Sequence, residues 1–155
     1  LTQSNNHPTA AFYRHQAQIN ATAGRIDAAI ADYTSALSIT PTAYALYQRG
    51  KLYVQIGENE KALADFDRAL VRSPDYAEIY CDRSHLHFQA HNLPSTLADT
   101  NKAIELFPLS YALKETFITR CLTHFSLSNK QQALADFEQL VTLIEGHHNN
   151  HHSLK

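Results

Sequence analysis

The stretch from Leu46 to Pro74 reads LYQRGKLYVQIGENEKALADFDRALVRSP, and its pattern recurs elsewhere in the chain at a spacing of 33 or 34 residues. The recurring positions are Gly50 with Ala17 and Ser84, Ala62 with Ala29, Phe66 with Tyr33, Ala69 with Ala36 and Ala103, and Pro74 with Pro41 and Pro108. A fixed period of this length is typical of stacked copies of one supersecondary unit rather than of a single globular core.

Each repeat contains two runs of apolar residues at helical spacing. In the quoted stretch, Gly57 and Asn59 interrupt the pattern between the runs, and Pro74 ends the second run. A helix, a tight turn and a second helix are therefore expected in every repeat. The sequence predicts helices over 9–22, 26–39, 43–56, 59–72, 77–90, 94–106, 111–127 and 130–145.

The second repeat carries the residues of the tetratricopeptide signature in the right order, namely Leu46, Gly50, Tyr53, Ala62, Phe66 and Pro74. Over residues 8–146 the chain resembles that family, although Thr96, Thr100 and Leu140 depart from its pattern. The resemblance implies an all-α right-handed superhelix, or solenoid, of four helix-turn-helix repeats. The expected organisation is an N-terminal flank (1–7), repeats at about 10–42, 43–76, 77–110 and 114–146, and a His/Asn-rich polar tail (147–155).

Composition excludes several classes of function. The net charge of -2 over 155 residues gives no electrostatic footprint for nucleic acid, and no apolar run reaches the ~20 residues of a membrane span. We find no catalytic motif, so we expect neither an enzyme nor a cofactor. Two cysteines do not form a disulfide framework, which favours buried free thiols and a cytoplasmic protein. Since the chain begins at Leu1 and lacks methionine, we expect a fragment or a processed product.

A second regularity is an arginine followed 16 residues later by an aspartate. This spacing joins Arg49 with Asp65, Arg83 with Asp99, and Arg120 with Asp136, and it joins Gln16 with Asp32 in the first repeat. In an antiparallel helix pair the two side chains can meet. We interpret them as structural ion pairs repeated with the fold, in preference to a charged partner site.

Ten histidines are present, and those inside the repeats are scattered over different helices. We interpret them as groove or packing residues. The tail reads HHNNHH over residues 147–152, and if helical it could hold a transition metal through histidines four residues apart. A disordered polar tail is the favoured interpretation, and no metal site is predicted.

The family resemblance implies a concave groove, lined by the first helix of each repeat, that binds an extended peptide or a partner helix. Tyr44 and Tyr47 are the expected anchors, with Arg14 and Lys51 beside them. The groove residues implied in this way are Arg14, His15, Gln18, Tyr44, Tyr47, Gln48, Lys51, Glu78, Asp82, His85, Ile118, Leu122 and Phe125. The predicted function is a non-catalytic adaptor or scaffold that binds a protein partner.

One family subtype binds the C-terminal carboxylates of heat-shock chaperones through a clamp of lysine, asparagine and arginine side chains. The matching positions are Arg14, Gln18, Gln48, Glu78 and Asp82. The last two reverse the charge and would repel a carboxylate. The sequence therefore predicts no useful affinity for such tails.

An alternative is a structural, self-associating segment of a larger protein or assembly, which would form homo-oligomers through its terminal helices. Pro8-Thr9-Ala10 repeats Pro41-Thr42-Ala43, as if another repeat ended at Pro8. At the other end, an apolar stripe of Leu140, Val141, Leu143 and Ile144 has no capping helix after it. A third class, a small-ligand or metal binder using the groove or the tail, is disfavoured.

Overall fold

The computed structural model describes residues 8–107 and 113–152, with side chains described as far as residue 146. The described residues form eight α-helices. In chain order these are α1 (Ala10–Thr22), α2 (Ile26–Ile39), α3 (Ala43–Gln55), α4 (Asn59–Arg72), α5 (Ala77–Gln89), α6 (Leu93–Leu106), α7 (Lys114–Ser126) and α8 (Lys130–His152). The predicted all-α fold of paired helices is confirmed.

Consecutive helices pack as hairpins, α1 with α2, α3 with α4, α5 with α6 and α7 with α8. We call the first helix of each hairpin the A helix and the second the B helix. The chain divides into two compact units, Leu1–Pro74 and Asp75–Lys155, each containing two hairpins. Within the N-terminal unit α2 packs on α3, and within the C-terminal unit α7 packs on both α5 and α6.

Local chemistry sets the helix starts. Thr9 and Thr42 are the N-caps of α1 and α3, and their hydroxyl oxygens accept hydrogen bonds from the backbone N–H groups of Phe12 and Ala45 at 3.2 Å. Capping of this kind satisfies one of the free N–H groups in the first helical turn. Asn92 caps α6 in the same manner.

The small residues of the repeat let paired helices approach closely. A Cβ atom added at Gly50 would lie 2.5 Å from Cε1 of Phe66, a ring with no exposed surface. Any side chain at this position would force the buried ring to move, so glycine is required by the packing of α3 on α4. In the C-terminal unit Ala103, Leu113 and Phe117 form a core cluster, against which Leu140 and Leu143 pack.

Two helix boundaries differ from the prediction by more than one residue. α7 begins at Lys114 rather than near residue 111, and residues 111 and 112 lie outside the described part. α8 does not end near residue 145 but continues to His152, so the interpretation of residues 147–152 as a disordered tail was wrong. Gly146 did not end the helix because its missing side chain lowers helix propensity without blocking a hydrogen bond.

Candidate functional site

The sequence-predicted groove residues all belong to A helices, and they divide between the two units. We call the set on α1 and α3 the N-terminal surface and the set on α5 and α7 the C-terminal surface. The N-terminal surface consists of Arg14, His15, Gln18, Tyr44, Tyr47, Gln48 and Lys51. The C-terminal surface consists of Glu78, Asp82, His85, Ile118, Leu122 and Phe125.

A hydrogen-bond network connects α1, α2 and α3 at the N-terminal surface. Gln18 Nε2 donates to Tyr44 Oη at 2.6 Å, and the buried phenol of Tyr33 also bonds to Tyr44. Burial, and next the contact with Tyr44, raises the pKa of Tyr33 from 10.0 to about 12. The Tyr44 hydroxyl is therefore the group at which side chains of α1 and α2 meet α3.

Tyr44 is therefore a fixed but exposed aromatic side chain, with 37% of its surface accessible. Gln18 and Tyr33 hold the ring in one position, which reduces the side-chain entropy that a partner must remove on binding. The sequence identified Tyr44 as an anchor, but it assigned Tyr33 only a packing role. The hydrogen bond between Tyr33 and Tyr44 depends on the packing of α2 against α3, so residue spacing within one repeat could not predict it.

Tyr47 differs from its expected role as an exposed anchor, because the structure leaves only 8% of it accessible. Its ring packs against Phe66 at 5.9 Å between centroids, and Lys51 Nζ lies 4.7 Å from the ring centroid. The prediction placed Tyr47 on the correct helix but did not anticipate that Phe66 and Lys51 pack against its ring. A partner approaching here meets the Lys51 ammonium group and the half-buried side chain of Gln48 before it meets Tyr47.

The remaining residues of the N-terminal surface line two shallow cavities. Arg14 contributes to a cavity of about 470 Å³ together with Ile39 and the segment 8–11. His15 and Gln18 contribute to another of about 370 Å³, beside Ile19. This surface therefore combines cationic and amide side chains with one exposed tyrosine.

The C-terminal surface contains a cleft of about 450 Å³ between α5 and α7. We call it the α5–α7 cleft. Its apolar wall is Phe88, Ile118 and Leu122, and Leu122 is 46% exposed. Its polar wall includes Asp82, His85 and Glu115, with Cys81, Thr116 and Thr119 at the base. The structure places Asp82, His85, Ile118 and Leu122 around one cleft, whereas Phe125, 71% exposed, is not among the lining residues.

Carboxylates dominate the charge near this cleft. Burial raises the pKa of the Cys81 thiol, and the nearby carboxylates of Asp82 and Glu78 raise it further. Glu115 lies 3.8 Å from Lys114 in an exposed pair that screens it only weakly. A half-buried thiol that holds its proton is a poor nucleophile, which gives Cys81 a packing role.

The arginine–aspartate spacing does produce ion pairs. Arg49 donates through Nε and Nη2 to Asp65 at 2.7 Å, Arg83 donates to Asp99 at 2.6 and 2.8 Å, and Arg120 pairs with Asp136. All three aspartates are buried, and their hydrogen bonds are made within one hairpin. The interpretation as structural pairs agrees with this geometry. In the first repeat, however, Asp32 accepts from Asn20 at 2.7 Å rather than from Gln16.

Two histidines adjoin the same pairs. His87 Nε2 lies 3.7 Å from Asp99, and His124 Nε2 lies 3.9 Å from Asp136. Each histidine follows its arginine by four residues, a spacing that would have revealed the arrangement in the sequence. Both histidines therefore lie beside buried ion pairs within their hairpins.

Among residues whose side chains are described, no cluster of three or more histidine, cysteine or acidic side chains could hold a metal ion. The histidines at 147, 148, 151 and 152 lie outside that set, so the metal-binding tail remains an untested alternative. No described helix is both long and apolar enough to cross a membrane.

Two family models match the chain. One, described as a tetratricopeptide repeat, matches residues 10–42, and another, described as a TPR repeat, matches residues 50–90. These matches fall on the first A–B hairpin and on the segment from α3 to α5. Residues 10–42 and 50–90 are therefore tetratricopeptide repeats. Such repeats generally mediate protein–protein interactions, and members of the family are typically non-catalytic.

Individual relatives agree with this assignment. A Protein SGT1 homolog from Oryza sativa subsp. japonica is 30% identical over 107 residues, which cover 69% of this chain and 28% of the relative. The chain therefore spans little more than a quarter of that protein's length.

Solved structures share the fold. A MamA protein superimposes with a TM-score of 0.81 at 21% identity, covering 88% of this chain and 74% of the other. The first TPR of Spaghetti (RPAP3), bound to the HSP90 peptide SRMEEVD, superimposes with a TM-score of 0.71 at 20% identity, covering 77% and 94%. At these identities the likeness concerns the fold alone.

Proposed function

We propose that this tetratricopeptide repeat chain is a non-catalytic adaptor that binds a peptide or helix of a partner protein on its A-helix surfaces. The observation that carries the proposal is the α5–α7 cleft. Two successive A helices enclose about 450 Å³, with Ile118 and Leu122 available for apolar contact and carboxylates at the rim. A cleft with an apolar wall and a few fixed polar groups is the usual form of a recognition site.

The N-terminal surface supports the same proposal through a different side chain. Tyr44 is exposed and is held by Gln18 and Tyr33. Tyrosines of this kind contribute disproportionately to protein interfaces because they combine a large contact area with few rotatable bonds. Tyr47 has a supporting role here, since Lys51 covers its ring.

The experiment begins with affinity capture and mass spectrometry to obtain a partner, whose affinity is then measured by calorimetry. We expect Tyr44→Ala and Leu122→Ala each to weaken binding by ~30-fold or more, the effect of losing an anchor worth about 2 kcal/mol. The matched control is Val71→Ala, which truncates an 83% exposed apolar side chain on the B helix α4.

The proposal predicts that Val71→Ala binds like the parent protein. Unchanged affinity in both A-helix variants, with folding verified by circular dichroism, would contradict the proposed surfaces. Loss of affinity in the Val71→Ala variant alone would move the interface to the B helices.

A further inference from the structure

The first A helix has an exposed apolar face at positions that are buried in every later A helix. Phe12 and Ile19 on α1 are 49% and 43% exposed. The repeat period assigns their positions to Ala45 and Leu52 on α3, Ile79 and Leu86 on α5, and Thr116 and Thr123 on α7. None of these six residues is more than 5% exposed. In α3 and α7 these positions are buried on helices that pack on the preceding B helix.

The last B helix shows the converse. Phe137 on α8 is 54% exposed, whereas the residues at its position in the other B helices are at most 2% exposed. Those residues are Tyr33, Phe66 and Thr100. Leu134, Val141 and Ile144 extend the exposed stripe at intervals of three, four and three residues. This spacing is that of a helix face built to contact another helix.

We propose that α8 of one copy of the chain packs against α1 of a second copy, in a head-to-tail contact that continues the repeat. The two exposed faces occupy the repeat positions that are buried in α2, α3, α6 and α7, where B and A helices pack inside the chain. They are different surfaces, so the contact is heterologous and does not close as a two-fold dimer.

Hydrogen-bonding groups on the two faces are complementary. Inside the chain, Arg49 donates from α3 to Thr34 Oγ1 on α2, and Arg120 donates from α7 to Asn101 Oδ1 on α6, each at 2.9 Å. The period assigns the donor position on α1 to Gln16 and the acceptor position on α8 to Glu138. A glutamine amide opposite an exposed carboxylate reproduces the donor–acceptor pair across the proposed contact.

Variants that block one face at a time test the arrangement by analytical ultracentrifugation over a concentration series. Ile19→Glu blocks the α1 face, and Phe137→Glu blocks the α8 face. We expect the parent chain to form species larger than dimers as concentration rises, and each variant alone to remain monomeric. An equimolar mixture of the two should form a one-to-one heterodimer, because each partner retains one intact face.

The control is Val71→Glu, which adds the same charge to an exposed apolar site away from both faces and should assemble like the parent. In the other direction, Gln16→Arg restores the arginine of the later repeats opposite Glu138 and should tighten association about tenfold. Thermal melts establish that every variant is folded.

Three results would overturn the proposal. A parent chain that stays monomeric at high concentration shows that the two faces do not bind. If Ile19→Glu alone still forms a dimer, the contact joins α8 to α8 instead. A mixture of the two blocked variants that stays monomeric shows that the faces are not each other's partners.

Discussion

At the scale of single residues, three buried aspartates help to specify how the second, third and fourth hairpins close. Arg49 holds Asp65 through two hydrogen bonds and reaches Thr34 with a third, so one side chain links α2, α3 and α4. Arg120 links α6, α7 and α8 in the same manner. The hydrogen bonds that Arg49 donates to Asp65 raise the pKa of Arg49, which keeps the guanidinium charged although its side chain is only 11% exposed.

Removing Asp65 should leave that guanidinium buried without its counter-charge. We expect Asp65→Ala to lower the free energy of unfolding by about 3–5 kcal/mol, the usual cost of breaking one partner out of a buried pair. Urea denaturation at neutral pH measures the change. Glu60→Ala, an exposed substitution on the same helix, is the matched control and should shift the free energy by less than about 0.5 kcal/mol. Equal effects of the two substitutions would contradict a buried ion pair.

A second prediction concerns the Tyr33 phenol. Its pKa is about 12 in the folded chain and 10.0 when unfolded, so the folded state binds the proton more tightly. The corresponding stability is fully present below pH 10 and is lost as pH rises towards 12. Tyr33→Phe removes the titrating group together with the hydrogen bond to Tyr44, which should cost about 1 kcal/mol at neutral pH.

Denaturation curves between pH 7.5 and 11.5 distinguish the two effects. The parent should lose stability more steeply above pH 10 than Tyr33→Phe, so the difference between them narrows. Parallel curves over the whole range would show that the pKa of Tyr33 is the same in the folded and the unfolded chain.

Residue spacing predicted the in-hairpin ion pairs because one repeat contains both partners at a constant separation. It could not predict the links to Thr34 and Asn101, which lie 15 and 19 residues before their arginines and depend on contacts between hairpins. The burial of Tyr47 was missed for a related reason. Helical spacing alone assigns Tyr47 to the groove face and predicts an exposed ring. It does not predict that the Lys51 side chain, one turn later, lies over that ring.

At the scale of helices and turns, every hairpin turn uses one residue in the left-handed region. Gly24 and Gly57 adopt φ values of 72° and 77°, and the equivalent positions His91 and Ser128 adopt 55° and 61°. Glycine takes this conformation without a steric penalty, whereas a side chain costs roughly 1–2 kcal/mol. In the last two hairpins, glycine would therefore be more stable than the histidine at position 91 and the serine at position 128.

We expect Ser128→Gly to raise the free energy of unfolding by about 1 kcal/mol, because it relieves strain in the α7–α8 turn. The reverse change, Gly57→Ser, should lower it by a similar amount in the α3–α4 turn. Thermal and urea denaturation measure both. If the two substitutions shifted stability in the same direction, turn conformation would not be the cause.

The helices were predictable because the same pattern of apolar and small residues recurs in every repeat. Where one repeat departs from the pattern, alignment with the other repeats still locates its helices. The ends of the array lack that redundancy. Between the third and fourth repeats the spacing is three residues longer than between the second and third. The predicted start of α7 near residue 111 was therefore too early, and the helix begins at Lys114. No proline follows residue 145 to end α8. The histidine and asparagine residues there suggested a disordered tail, whereas the backbone continues as a helix to His152.

At the scale of the whole molecule, the repeats determine the fold, and under the proposed function the side chains on the A helices determine the choice of partner. In this chain the N-terminal surface carries Arg14 and Lys51, whereas the C-terminal surface carries Glu78 and Asp82. Ligand charge is therefore the property most readily tested. The HSP90 peptide in the RPAP3 complex, SRMEEVD, is acidic near its C-terminus and provides a direct probe.

We expect this chain to bind SRMEEVD more weakly than about 1 mM, because Glu78 and Asp82 place negative charge where the family's clamp has cations. Calorimetry at low ionic strength is the most demanding test, since attraction between opposite charges would be greatest there. The same peptide with a C-terminal carboxamide is the control for the terminal carboxylate.

Reversing the charge of the two acidic side chains gives the complementary measurement. Glu78→Lys combined with Asp82→Arg should bring measurable, salt-sensitive binding of the free-acid peptide and less binding of the carboxamide. A parent chain that already binds the peptide with micromolar, salt-sensitive affinity would refute the electrostatic argument. If neither protein binds, the cations alone are insufficient, and Gln18 and Gln48, which stand where the clamp has asparagines, become the next positions to change.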